Sequence, residues 1–149
     1  MNLLSDNFNN KPSGRLSFDV LYRGKLIEHF NDGNLIVDNS KMIQAHLLGG
    51  DVVNNSVTQI GFGTNGTAPV GGNLALTGAF TKAIDAVLYP TNHSVRFNFT
   101  LGSGENNGMD IMEFGLITGA GGLYARKVRA TALTKTVDIS ITGSWIITF

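Results

Sequence analysis

Cysteine is absent from the 149 residues, which excludes disulfides, zinc thiolate centres and thiol nucleophiles together. Stability therefore has to come from packing. Proline contributes three residues, and charged residues make up only 15%, with acids and bases balanced at zero formal net charge. A neutral chain offers no general attraction to nucleic acid or to an anionic membrane, so neither is expected as a partner. No apolar run approaches the roughly 20 residues of a membrane span. Residues 1–10 are polar and Asn-rich, where a secretory signal would need a basic flank and an apolar stretch. The chain is expected to be made soluble, in a cytosol.

What the sequence does contain is glycine, 19 residues of it, mostly in clusters between short runs of Val, Ile, Phe and Thr. That rhythm predicts a mostly β protein, an antiparallel β-sandwich or barrel with one short α-helix at about residues 40–48. The length fits one domain with a real core. We expect an extended N-terminal arm over residues 1–14, tied down by a partner subunit, and a single β domain over residues 15–149.

Residues 16–22 and 25–30 read as a hairpin about Arg23 and Gly24, with a turn at Asn31, Asp32 and Gly33 and a short strand at 35–37. Asn39 or Ser40 can cap the helix, whose Met42, Ile43, Ala45, Leu47 and Leu48 suit a face lying on a sheet, and Gly49 and Gly50 stop it. Further strands are expected at 57–62, 80–88, 94–101, 109–117 and 123–130, the last two joined by a glycine hairpin at 119–122. The clearest strand is 137–149. Val137, Ile139, Ile141, Trp145, Ile147 and Phe149 share one face of it, and Gly143 on that face predicts a bulge or bend. Trp145, Ile147 and Phe149, with Phe97 and Phe99, are the expected core anchors.

Motifs that would carry chemistry are thin. Gly61, Gly63 and Gly66 match G-x-G-x-x-G after a strand, but Pro69, Gly71 and Gly72 follow where a phosphate-binding helix should begin, so a structural loop is expected. His29, His46 and His93 have no metal-ligand spacing, and no G-x-S-x-G elbow is present. No catalytic residue, metal or cofactor is expected, and the chain reads as non-enzymatic. Four N-x-S/T triplets, at Asn54, Asn65, Asn92 and Asn98, read as chance matches. Asp110 and Glu113 point to opposite faces of one strand; Glu113, between Met112 and Phe114, is expected half-buried, accepting hydrogen bonds or pairing with an arginine. Arg126, Lys127 and Arg129 are the basic cluster, Arg126 on one face and the other two on the opposite one. They are candidate partner contacts, as are Asn7 and Phe8 in the arm.

Asn34 to Asp38, the helix with Ala45 to Gly50, and the run from Val57 to Pro69 resemble small virion proteins of tailed bacteriophages. Glu113-Phe114-Gly115-Leu116 followed by Leu123-Tyr124-Ala125 is similar to the "E-x-G-L, glycine turn, L-x-A" segment of tail-collar fibre proteins. The resemblance implies a structural subunit of the virion, a homo-oligomer that docks on tail or capsid subunits by symmetric protein contacts, at the collar or fibre base. A capsid decoration, or cement, protein fits the short chain equally. From another class, a carbohydrate-binding β-sandwich module would need exposed rings, and Phe62, Tyr89 and Tyr124 are the candidates.

Overall fold

The computed structural model describes residues 11–149. Nine strands and one helix follow in the order β1 (Ser13–Tyr22), β2 (Lys25–Ile36), α1 (Asn39–Gly49), β3 (Val57–Gly63), β4 (Phe80–Ala83), β5 (Ala86–Thr91), β6 (Ser94–Leu101), β7 (Asp110–Thr118), β8 (Leu123–Thr134) and β9 (Ile139–Thr148). The strands form one curled sheet in the order β4-β3-β7-β8-β2-β1-β9-β6-β5, and every pairing is antiparallel. The fold is thus the mostly β, one-helix architecture that the glycine punctuation predicts.

Two features curl the sheet around a core. β2 pairs with β1 as far as Asn34 and then with β8 through Leu35 and Ile36, so one strand serves both halves. Opposite it, Ile84 N donates to Thr58 O and Asp85 N to Asn98 O, so the β4–β5 junction spans from β3 to β6. Alternation then sends Leu16, Phe18 and Val20 of β1, Phe97, Phe99 and Leu101 of β6, and Ile141, Trp145 and Ile147 of β9 into one core with Phe62, Phe114 and Leu116. Phe18, Phe62 and Phe114 pack ring against ring, with centroids 4.9 Å (Phe18–Phe114) and 5.4 Å (Phe62–Phe114) apart. The buried Trp145 indole donates to Asn34 Oδ1 at 2.8 Å, anchoring β9 to the corner of β2.

Several local expectations need correction. Asn31, Asp32 and Gly33 form no turn: their backbones pair with Ser17, Leu16 and Arg15, and the extended ladder satisfies more main-chain groups than a turn would. Residues 80–88 split into β4 and β5, because the two pieces pair with different halves of the sheet. Gly143 carries no bulge, since both of its ladders keep register past it. It is glycine for space: a Cβ would lie 2.6 Å from the Phe18 Cβ and 2.6 Å from the Ser17 carbonyl oxygen. The helix begins after Asp38 with no side-chain cap, although Gly50 does close it in the left-handed conformation. Of its apolar residues Ile43 is buried, whereas Met42, Leu47 and Leu48 stay exposed, so the helix rests on the sheet through a narrow contact. Ser13 and Gly14, expected in the arm, already belong to β1.

Candidate functional site

The register defines two ends of the molecule. Ser13 of β1, Thr148 of β9 and Ser94 of β6 align at one end, while Tyr22 aligns with Ile139 at the other. At the first end α1 stands over the strand ends and leaves a groove of about 630 Å³, lined mainly by apolar groups that include Leu47, Val57, Val87, Tyr89, Phe97 and Phe149. The Tyr124 hydroxyl also reaches this groove, accepting from Gln44 Nε2 at 2.6 Å, and burial pushes its phenol above the usual range. Tyr89 is 77% exposed, and Leu48 on α1 and Val53 in the turn after it are more exposed still. Large apolar groups held in water in such number mark contact surfaces.

The opposite end carries a second apolar group. Arg23 and Gly24 turn the β1–β2 hairpin with positive φ, and Tyr22, Leu26, Ile27 and Val137 lie exposed around its tip. Arg23 N donates to Asp138 O at 2.8 Å and its Nε to Asp138 Oδ1 at 2.9 Å, fixing the tip to the β8–β9 connection.

On the outer side of β7 and β8 the long loop of residues 64–79 covers a buried ion pair. Arg126 Nε donates to Glu113 Oε2 at 2.6 Å, with the two side chains 1% and 0% exposed. Glu113 Oε1 accepts from Asn65 N at 3.2 Å and Thr77 N at 2.7 Å, near the two ends of the loop. Arg126 also donates to Asn73 Oδ1 and Asn65 O, both at 3.1 Å. Leu76 packs there against Val37, Ile117 and Leu123, a small second core beneath the loop. The G-x-G-x-x-G segment is therefore the entry to a loop folded over a charged hub, with Gly61 and Gly63 inside β3.

The candidate residues fall into place unevenly. Trp145, Ile147, Phe97 and Phe99 are buried, but Phe149 is 50% exposed, because pairing ends at Thr148 and the ring lies on the groove rim instead. Arg126 is not a surface contact, and neither is Arg129, which is buried with its guanidinium on Glu28 at 2.9 Å and over the Phe18 ring. Lys127 pairs with Asp32 at 2.6 Å beside Phe30. The expected parity of the three holds; a covering loop and acidic partners on β2 turn a basic cluster inward. Asn7, Phe8 and the rest of the arm before Lys11 lie outside the described residues. Of the three rings considered for a glycan platform, Phe62 and Tyr124 are buried and Tyr89 alone is exposed.

His29 and His46 each hold a carboxylate, Asp19 at 2.6 Å and Asp51 at 2.7 Å. Among the described residues no group of three or more His, Asp or Glu is placed to hold a metal ion. Compared with protein-family models, curated proteins and solved structures, the chain matches none of them.

Proposed function

We propose that the protein is a non-enzymatic structural subunit of a tailed-bacteriophage particle, docking on tail or capsid subunits through its two apolar ends. The observation that carries this reading is the placement of exposed large apolar residues at opposite ends of one β domain: Leu47, Tyr89 and Phe149 at the groove, and Leu26 and Ile27 at the hairpin tip. A subunit with unlike contact surfaces at its two ends makes heterologous contacts, which close into rings or run along a surface lattice. Repetition then turns modest single contacts into firm attachment. The sequence resemblance to virion proteins supports the same reading.

Quantitative mass spectrometry of purified particles tests it. Many copies, scaled to the capsid lattice, place the protein as decoration on the head; a small number fixed by the tail symmetry places it at the collar or fibre base. Leu26→Asp with Ile27→Asp should abolish incorporation while the isolated domain keeps its circular dichroism. Particles that never carry the protein would sink the proposal.

A second reading rests on a different surface. The outer face of β1, β9 and β6 forms a cleft of about 570 Å³ lined by Asp19, His29, Asp85, Arg96, Asn98 and Ser144. Arg96 Nε is buried there without a partner among the described residues, and Thr100 Oγ1 donates to Asp85 at 2.9 Å. Such a floor of short donors and acceptors suits a saccharide bound by hydrogen bonds rather than by ring stacking. A glycan array on the intact domain decides it, and Arg96→Ala should remove any binding found.

A further inference from the structure

We propose that the outer cleft on β1, β9 and β6 takes an acidic saccharide, its carboxylate held by Arg96 and Arg15 and its hydroxyls by the polar rows beside them. The inference rests on the saccharide reading of that cleft and adds the charge its ligand carries. Arg15 of β1, Ile146 of β9 and Arg96 of β6 form one row across the three strands. All three point outward, because their chain neighbours Leu16, Trp145 and Phe97 are buried. The two arginines thus flank Ile146 from strands separated by roughly 10 Å. Arg23, Arg126 and Arg129 hold Asp138, Glu113 and Glu28. Arg15 and Arg96, the other arginines, hold no carboxylate among the described residues, and Arg15 donates to the neutral Asn31 Oδ1 at 3.2 Å.

Arg96 is the stronger of the two. The register sets it between Leu88 of β5 and Ile146, and its Nε is buried with no partner among the described residues. Apolar flanks lower the local dielectric, so a charge there draws a counter-charge more strongly than one in open water. A buried cationic donor without an acceptor is unfavourable, and a carboxylate offers the guanidinium fork two parallel acceptors. The arm is long enough to turn its Nε edge into the cleft it lines. The next row, Ser17, Ser144 and Asn98, lies roughly 7 Å along the strands and presents hydroxyls and an amide. Beyond it stand Asp19 and Asp85, which line the same cleft. Their charges turn the ligand's acid group away and leave spare lone pairs for sugar hydroxyls. The cleft therefore has a direction, cations at one end and carboxylates at the other. A neutral saccharide would leave the guanidinium unpaired, and a bare anion would leave the short donors and acceptors unused.

The full-length protein on an array of glucuronate, galacturonate and mannuronate oligosaccharides, each beside its carboxyl-reduced neutral counterpart, tests the charge, with calorimetry giving the affinities. At least one acidic member should bind about tenfold more tightly than its reduced counterpart, the worth of one charge-assisted contact. Arg96→Gln should erase that preference. Arg15→Gln should weaken it by about threefold, as befits a more exposed cation. Lys41→Gln removes the same charge from the exposed surface of α1 and should leave the preference unchanged. The near-ultraviolet signal of buried Trp145 reports that each variant is folded. Equal binding of acidic and reduced forms would leave the saccharide reading standing and overturn this inference. A preference that survives Arg96→Gln would belong to diffuse charge and overturn it too. No binding anywhere on the array, by folded protein, would remove both.

Discussion

Replacing Arg126 probes the ion pair on which the loop of residues 64–79 depends. With Arg126→Leu, Glu113 keeps its two backbone donors, Asn65 N and Thr77 N, but its charge stays buried without a counter-charge, and Asn73 Oδ1 and Asn65 O each lose a donor. Removing one member of a buried pair typically costs about 3–5 kcal/mol. Both side chains are almost fully buried, so the full range applies here. For a domain of this size that corresponds to a melting temperature lower by roughly 10 °C. Glu113→Leu should cost about as much. The double variant should cost less than the sum of the singles by at least about 1 kcal/mol, because it leaves no unpaired charge behind. Urea unfolding followed by Trp145 fluorescence gives the three free energies, and amide exchange at Asn65 and Thr77 reports whether the loop opens first. Additive costs, or a single variant losing under about 1 kcal/mol, would refute the assignment of the pair as the loop's anchor.

Gly143→Ala should destabilise by about 1–3 kcal/mol, since the new methyl meets the Phe18 Cβ and the Ser17 backbone oxygen rather than a side chain that can swing away, and a thermal melt reads this directly. Acid should weaken the link between Glu105 and Lys82. Hydrogen bonds from Lys82 and Gly102 N hold the Glu105 carboxyl below its ordinary value of 4.5. Its stabilisation is therefore present above pH 4.5 and fades as pH falls through the lowered folded-state value. Urea midpoints of wild type and Glu105→Gln should accordingly differ at pH 7 and converge in strong acid, and a constant gap would contradict the pairing.

Strand parity was legible from alternation alone: β6 and β9 bury the residues their period of two selects, and Gly121, in the left-handed conformation at φ 94°, turns the β7–β8 hairpin as its glycine cluster predicts. The turn expected at Asn31 to Gly33 was misplaced because turn-forming residues tolerate an extended ladder when a long partner strand offers one. The groove was not legible at all. Its lining comes from α1, β3, β5, β6, β8 and β9, segments distant in the chain whose apolar residues carry no local mark of facing one space. The loop did carry one signal, since sixteen residues without regular structure exceed the usual connection and point to a loop with a task.

By itself, the sequence determined the class of fold, the faces of its strands and the absence of thiol chemistry, because periodicity and composition are local properties of the chain. Tertiary structure alone decided which outward residues would meet water. Arg126 and Glu113 both point away from the main core, as their parity says, yet both are sealed from solvent by a loop entered dozens of residues earlier. Alternation tells the two faces of a strand apart. Whether a face is covered depends on where a distant segment lands, and that is settled only when the whole sheet has curled.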